Sequence, residues 1–419
     1  MVYSNYIRFA AANRQFISFG FLAAFTSSFG QTYFIGIFGP ALQSEFGLNH
    51  TTWGSIYLMG TLGSAAILSV TGKFIDHMPL RRYTLLVLGL LILACGSTAF
   101  VTGPVTLIGA IFLLRHAGQG LMSHIAVTTM ARYFHAGRGK AIAIATLGYS
   151  AGEALLPFIA VLAIGLFSWR WTYGGVALLL AMVMIATRFI LPKDFGHRSP
   201  DHEDPSDHPQ ETEPQRSWTR SEVLRDLRIY LLLPGLLAPG IILTAMFFHH
   251  LSLAAAKGWS YTWITGSYII YAGATIVTSL LIGQLIDRLG AVRLVPFMLV
   301  PLALAMLVVA IFNNPFAVWL YMVLLGLSVG IAHTSVSAMW AEVYGVAHLG
   351  AIKSLMAALS VFGTALGPVS MGSLMDKGLS MEQVCLLFAG YTVMGMGLMV
   401  IAFRWKTDET PLVSHRIGD

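Results

Sequence analysis

The sequence contains little charge for its length. Only 11% of its 419 residues are Asp, Glu, Lys or Arg, whereas 56% are hydrophobic and the mean hydropathy is +0.72. Soluble proteins carry about 25% charged residues, so this composition excludes an ordinary soluble globular protein. The only two cysteines, Cys95 and Cys385, both lie in apolar runs, which argues against a structural disulfide.

Several functional classes lack support in the sequence. The basic residues form no dense stripe of the kind that binds nucleic acid, and the net charge of +6 is spread over many loops. No HExxH motif, clustered Cys/His spacing or nucleophile-base constellation is present. We therefore expect no nucleic-acid partner, no cofactor, no bound metal and no enzymatic activity.

Long apolar runs recur along nearly the whole chain. Each is roughly 20 residues long, which is the length that crosses about 30 Å of hydrocarbon, and no alternation of period two competes with them. The predicted fold class is an all-α membrane protein with twelve transmembrane helices. The expected spans are 16–43, 52–73, 83–103, 106–132, 140–167, 172–191, 229–254, 262–284, 294–312, 316–343, 349–374 and 383–404.

The second half of the chain repeats a pattern of glycine, aspartate and proline positions of the first half 211 residues later. The matched pairs are Gly47 with Gly258, Gly72 with Gly283, Asp76 with Asp287, Gly139 with Gly350, Gly152 with Gly363, and Pro157 with Pro368. Internal repeats of this kind are typical of secondary transporters. They predict two pseudo-symmetric six-helix halves, an N-terminal one at 1–191 and a C-terminal one at 229–404.

Residues 192–228 interrupt the hydrophobic pattern with prolines and acidic side chains, which indicates a cytoplasmic linker between the bundles. We expect it to end in a short amphipathic helix from Ser221 to Arg228. Its histidines, His197, His202 and His208, could bind a metal ion, but a solvated linker is the favoured interpretation.

Lysine and arginine set the expected orientation, because short loops rich in these residues stay in the cytoplasm. Of the 25 basic residues, only Arg170, Lys257 and Lys377 fall on outer loops when the N-terminus is placed inside, and Arg115 lies within a span. We therefore expect a multi-pass protein of the cell inner (cytoplasmic) membrane with both termini cytoplasmic, including a tail at 405–419. The sequence gives no strong sign of oligomerisation, so a monomer in the lipid bilayer is expected.

Three segments carry a family resemblance. Residues 72–82 (GKFIDHMPLRR) place a glycine, an aspartate and paired arginines after the second span, and residues 283–293 (GQLIDRLGAVR) form a degenerate copy. Residues 115–120 (RHAGQG) place an arginine and glycines within the fourth span. The chain resembles the major facilitator superfamily, and looks most like its bacterial monocarboxylate and oxalate/formate carriers. This resemblance implies two bundles that open a central cavity alternately to each side.

Charges present in both copies of the repeat are expected to act as a gate. They lie at the cytoplasmic membrane edge, where helix-end charge clusters can hold neighbouring helices together in one state and part in the other. Static capping of the loops is the alternative. The predicted gate residues are Asp76, Arg81, Arg82, Asp287, Arg288 and Arg293.

Two charges occur in only one copy. Arg115 corresponds to Leu325 and Glu153 to Thr364, so the fold is built without a charge at either matched position. A charge in the middle of a span costs about 2.5–3.5 kcal/mol on insertion scales, so both side chains are expected to face the cavity. An ion pair between them is plausible. It would be either part of the transport mechanism or a permanent link between helices four and five.

Other polar and aromatic side chains of the spans complete the predicted site for substrate and proton coupling. Histidines can titrate near neutrality, and tyrosines and amides suit an organic substrate, although each is also common in helix packing. These further candidates are Gln31, Tyr33, Gln119, Tyr149, His249, His250, Tyr268 and Tyr271.

The sequence favours a proton-coupled uptake carrier for a small organic anion such as a monocarboxylate. Arg115 would attract the anion and Glu153 would carry the proton. Proton-driven efflux or exchange of an amphipathic or cationic compound is an alternative, as is a non-transporting sensor derived from a carrier.

Overall fold

The computed structural model describes residues 8–134, 137–191 and 217–404. These residues are almost entirely helical and include no β-strand. Eleven helices are long and apolar enough to cross a membrane, and a bent pair at the N-terminal end supplies a twelfth span. The predicted all-α membrane fold is therefore confirmed. Residues 197, 202 and 208 of the linker and the tail from 405 lie outside the described residues.

The twelve spans are numbered in chain order. They are α1 (Arg14–Gly30 with Thr32–Phe46), α2 (His50–His77), α3 (Leu80–Ala99), α4 (Pro104–Tyr133), α5 (Arg138–Leu166), α6 (Trp169–Ile190), α7 (Leu227–Phe248, continued by His250–Lys257), α8 (Tyr261–Leu289), α9 (Ala291–Ile311), α10 (Ala317–Tyr344), α11 (Leu349–Asp376) and α12 (Met381–Arg404). Each matches an expected span within a few residues. We call the side that holds Arg14 and Arg404 the termini side, and the side that holds Gly47 and Gly258 the far side.

Helix α1 is broken near its middle. Ser28–Gly30 forms a 3₁₀ turn, Gln31 is extended with φ −84° and ψ 154°, and the two segments meet at 47°. The break lies where α1 and α4 nearly touch, because a Cβ atom on Gly118 would be 2.7 Å from Cα of Gly30. A hydrogen-bonding group on α4 can therefore reach backbone atoms that the break leaves unpaired.

Helix α7 is also broken, at the position equivalent to the far-side part of α1. Its first segment ends at Phe248, and His249 separates it from His250–Lys257. His249 and His250 correspond, at the offset of 211, to Phe38 and Gly39. A second 3₁₀ turn of α1 ends at Phe38, and the next helical segment begins at Gly39. Irregular backbone recurs in both bundles and faces the contact between them. Broken helices at this depth are common where a transporter binds its substrate.

The two halves pack against each other through α2 with α11 and α5 with α8. The closest approaches involve small residues on the far side. A Cβ on Gly54 would be 2.6 Å from Cα of Val369, and a Cβ on Gly36 would be 2.7 Å from the carbonyl oxygen of Phe247. A Cβ on Gly372 would collide with the His50 carbonyl oxygen. The far side is therefore closed by direct backbone contact between the halves.

The end of the linker folds onto the C-terminal half. A helix of one and a half turns covers Arg220–Arg225, close to the expected Ser221–Arg228, and Thr219 caps it. The Trp218 amide donates to the Tyr344 carbonyl at 2.9 Å, and the Tyr344 hydroxyl donates to Asp226 at 3.1 Å. This segment is thus attached to the termini side of α10.

Candidate transport site and gates

Glu153 lies at the contact between the two halves. It is half-buried on α5. Its carboxyl is within electrostatic range of the hydroxyls of Tyr33 on α1 and of Tyr268 and Tyr271 on α8. Among the residues that the structure describes, no basic side chain forms an ion pair with Glu153. Four of the predicted site residues, taken from three helices and both halves, are therefore brought together.

The tyrosine nearest α1 is held by local contacts. Tyr33 follows the break in α1 and donates a hydrogen bond of 2.8 Å to the Ser28 hydroxyl. Tyr149, one turn before Glu153 on α5, donates instead to the Ser123 carbonyl of α4 at 3.2 Å. Tyr149 therefore links α5 to α4, whereas Tyr33 faces the carboxyl.

Arg115 hydrogen-bonds to the backbone at the break in α1. Its Nη1 atom donates to the Gly30 carbonyl oxygen at 3.1 Å, and its guanidinium lies 5.2 Å from the ring centre of Tyr57. The amides of Phe34 and Ile35 bond to the Gln31 carbonyl, which leaves the Gly30 carbonyl free for Arg115. Arg115 thus replaces a hydrogen bond that a continuous helix would make.

The expected ion pair between Arg115 and Glu153 is not formed in this conformation. Arg115 is 4% exposed, and no acidic side chain of the described residues pairs with it. The physical reason is that α4 turns Arg115 toward α1 and α2, whereas α5 turns Glu153 toward α1 and α8. One donor of the guanidinium, Nε, is buried without a hydrogen-bond partner.

The backbone of α4 is irregular at this point. Residues Arg115–Met122 form a π-helix, a conformation that is often found at functional sites. Gln119 lies within it and is half-buried, as is Gln31 at the break in α1. Neither side-chain amide hydrogen-bonds to another described residue, so both side chains retain donors and acceptors that a solute could use.

The adjacent histidines of α7 have separate surroundings. Nε2 of His249 bonds to the Pro368 carbonyl of α11 at 3.0 Å, while its Nδ1 has no partner. His250 bonds through Nδ1 to the Tyr268 hydroxyl at 2.6 Å and through Nε2 to the Tyr321 hydroxyl at 2.7 Å. His250 therefore belongs to the same cluster as Glu153, and His249 belongs to the contact of α7 with α11.

The predicted gate residues on the termini side do not form one cluster. Asp76 makes an ion pair with Arg132 at the end of α4, within its own half. Arg81 and Arg82 form no ion pair with any described side chain, and Asp287, Arg288 and Arg293 are exposed. Within the described residues, Asp76 is therefore paired outside its own motif in this conformation, and the gate role of the six residues stays a prediction. Arg132, which sequence reasoning did not single out, is the partner of Asp76.

The C-terminal half uses a different contact at the equivalent place. Arg132 corresponds to Glu342 at the offset of 210 that fits α4 and α10. Glu342 accepts hydrogen bonds from the amides of Ala291 at 2.7 Å and Val292 at 3.0 Å, at the start of α9. The ion pair of one half is thus replaced in the other by a carboxylate on a helix N-terminus.

A contact on the far side joins the halves directly, and sequence reasoning missed it. Asp376 at the end of α11 accepts hydrogen bonds from the amides of His50 at 3.2 Å and Thr51 at 2.7 Å, in the first turn of α2. Asn49 caps the same helix through the Thr52 amide at 2.8 Å. A signal was available, since the residue matched to Asp376 is Gly165 and the carboxylate is unique to the second copy.

A vestibule of about 520 Å³ opens on the far side next to this contact. Its polar lining comes from both halves and consists of Gln43, His50, Ser252 and Tyr261. Within the described parts of the chain, no group of three His, Cys, Asp or Glu side chains is arranged to hold a metal ion.

Comparison with known proteins identifies the fold. The family description "Major Facilitator Superfamily" matches residues 20–368 and 260–417. A crystal structure of the nucleoside transporter NupG is similar to the chain at 16% identity, with 94% of this chain and 99% of NupG covered and a TM-score of 0.72. No curated protein of known function matches the sequence.

A second group of solved structures has the same architecture. A bacterial homologue of the human lysosomal transporter Spinster, in an inward-facing and occupied conformation, is 14% identical, with 93% of this chain and 97% of the homologue covered and a TM-score of 0.73. The unoccupied form gives a TM-score of 0.70 at 13% identity. Twelve helical spans, a repeated loop motif and a family match over most of the chain lead to one assignment: this protein is a secondary transporter of the major facilitator superfamily.

Proposed function

We propose that the protein is a proton-coupled transporter of a small polar organic solute, in which Glu153 carries the proton. The observation that supports this proposal is the position of Glu153. It belongs to the N-terminal half, it lies within electrostatic range of two tyrosines of the C-terminal half, and no described basic residue forms an ion pair with it.

A proton on Glu153 changes the stability of the contact between the halves. A carboxylate held between α5 and α8 without a cationic partner is poorly solvated when the halves close on it, whereas the neutral acid can hydrogen-bond to a tyrosine. Protonation therefore favours the closed contact, and loss of the proton favours its opening. Binding of solute and proton to the same contact couples the two movements, because each shifts the same conformational equilibrium.

The chemistry of the site favours a neutral solute with a planar ring. Tyr33, Tyr268 and Tyr271 offer aromatic faces and hydroxyls, and the amides of Gln31 and Gln119 are available for hydrogen bonds. A nucleoside has this combination of ring and hydroxyl groups, and the nucleoside transporter NupG has a similar fold. With the termini side in the cytoplasm, the expected direction is uptake with protons.

An organic anion remains a second candidate solute. The observation that favours it is the unpartnered Nε atom of Arg115, a buried cation for which no described acidic residue supplies the counter-charge. A carboxylate that reached this group would relieve an unfavourable buried charge. In this candidate Arg115 would leave the Gly30 carbonyl in the solute-bound state.

Proton binding can be tested before the solute is known. Infrared difference spectra of the purified protein, recorded during a pH titration, should contain a carboxylic acid C=O band that Glu153→Gln removes. Glu382→Gln is the matched control, because Glu382 pairs with Lys257 at 2.9 Å on the far side and away from the tyrosines. A band that survives in Glu153→Gln would contradict the assignment of the proton to Glu153.

Proteoliposomes then separate the two candidate solutes. Radiolabelled uridine and lactate would be offered under an imposed pH gradient. Accumulation of uridine that is lost in Glu153→Gln and retained in Arg115→Ala supports the neutral solute. Accumulation of lactate that requires Arg115 supports the anion, and lactate transport by Arg115→Ala at the normal rate would exclude it.

A further inference from the structure

Three buried side chains of the C-terminal half form a continuous series of hydrogen bonds, which we call the chain in this subsection. It runs from the Tyr268 hydroxyl on α8 through the His250 ring on α7 to the Tyr321 hydroxyl on α10. Tyr268 and Tyr321 are 0% exposed and His250 is 1% exposed. Water is therefore excluded from these hydrogen bonds.

The chemistry of a neutral imidazole allows the chain only two arrangements. One ring nitrogen carries a proton and donates, and the other accepts. In the first arrangement Tyr268 accepts from Nδ1–H and Tyr321 donates to Nε2. In the second, Tyr268 donates to Nδ1 and Tyr321 accepts from Nε2–H. The two hydroxyls therefore always point in the same sense along the chain.

The Tyr268 hydroxyl also lies within electrostatic range of the Glu153 carboxyl, which is on the helix α5 that packs against α8, although the two groups are not hydrogen-bonded. Its single proton cannot point toward His250 and toward Glu153 at once. A Glu153 carboxylate attracts that proton, which requires Nδ1–H on His250. A protonated Glu153 no longer attracts that proton, which can then point toward Nδ1 and place the imidazole proton on Nε2.

We propose that His250 is a positioning residue whose tautomer follows the charge on Glu153. A proton bound in the N-terminal half would then determine the direction of the hydrogen bonds that join α7, α8 and α10 of the C-terminal half. The inference rests on the proposed role of Glu153. The two arrangements hold the same three protons. Conversion removes a proton from one ring nitrogen, adds one to the other and turns the two hydroxyls, with no net uptake.

Other polar groups near the chain do not provide an alternative partner for His250. Its two ring nitrogens are both occupied by the tyrosines, and the Phe247 ring packs edge-on against it at 4.9 Å. The titratable groups within electrostatic range of Tyr268 and Tyr321, apart from each other, are Glu153 of α5, Tyr271 of α8 and Cys385 of α12. Of these, Glu153 alone changes charge without first acquiring a negative charge at a buried hydroxyl or thiol.

Nitrogen NMR on the purified full-length protein labelled with ¹⁵N-histidine tests the proposal. The His250 signals are identified by their loss in His250→Gln. In the unaltered protein, the protonated ring nitrogen should change from Nδ1 to Nε2 over the pH range in which the Glu153 infrared band appears. In Glu153→Gln, His250 should keep one tautomer at every pH.

A matched pair of tyrosine variants isolates the connection. Tyr268 and Tyr271 both face Glu153, but only Tyr268 bonds to His250. Tyr268→Phe should abolish the pH-dependent change of tautomer while the Glu153 band still titrates, and Tyr271→Phe should preserve it. If Glu153 titrates while His250 keeps one tautomer, or if the tautomer changes equally in Glu153→Gln, the inference is overturned and the proposed function stands. If the Glu153 band does not titrate at all, both fail.

Discussion

Replacing Asp376 should open the far side of the transporter. The carboxylate is supplied by the C-terminal half and accepts two amide hydrogen bonds from the first turn of α2, in the N-terminal half. When the far side opens, these bonds must be exchanged for bonds to water. The contact therefore contributes to the closed state alone, and its loss changes the balance between closed and open conformations.

The size of the effect follows from the geometry. A hydrogen bond to a charged group contributes about 1.5–3 kcal/mol where it is shielded from water, and a negative charge at a helix N-terminus contributes about 0.3–1 kcal/mol. Asp376 is exposed, so solvent screening lowers the total to about 1–2 kcal/mol. The Asp376→Ala variant should therefore shift the equilibrium toward the open state by roughly 5–30-fold. Asp376→Asn keeps one acceptor and should give a smaller shift.

Distances between spin labels on the far side measure this shift. Thr102 and Phe312 are exposed loop positions in the two halves, and the native cysteines Cys95 and Cys385 are fully buried and should not label. The long-distance population should grow in Asp376→Ala. Glu382→Gln is the control, because its pairing with Lys257 remains within one half. An unchanged distance distribution, or an equal change in the control, would refute the reasoning.

Two further substitutions test the packing and the termini side. Gly118→Ala places a Cβ 2.7 Å from Cα of Gly30 and should destabilise the protein by about 1–3 kcal/mol in detergent thermal unfolding. Gly109→Ala, earlier in α4 with no atom within 4 Å of the added Cβ, should be neutral or slightly stabilising, and equal destabilisation by both would contradict the close contact. Asp76→Asn should change thermal stability by less than about 1 kcal/mol, because both partners in its ion pair with Arg132 are nearly half exposed. A larger loss would show that Asp76 has a further partner.

The fold was predictable because its signals are local and additive. The length of each apolar run determines a span, and every expected span matches an observed helix within a few residues. A short helix before α7 was also expected, from Ser221 to Arg228, and the structure has one at Arg220–Arg225 that begins with a capping box of Thr219 and Glu222. None of these features depends on how one helix is placed against another.

The details of the site depend on that placement. The length of a span does not fix the rotation of a helix about its own axis, so two charges at similar depth could be predicted to meet although they face different neighbours. Arg115 turns toward the Gly30 carbonyl because the break in α1 creates an unpaired acceptor there. The break lies at a close contact between α1 and α4, which no local pattern reveals.

Two carboxylates that occur in only one copy of the repeat act between the halves. Glu153, whose counterpart is Thr364, reaches tyrosines of α8, and Asp376, whose counterpart is Gly165, reaches amides of α2. Each carboxylate is supplied by one half to a partner in the other half, so each contact depends on how the halves are placed. Protonation of Glu153 can therefore act on the same movement that Asp376 restrains, although the two groups lie in different halves.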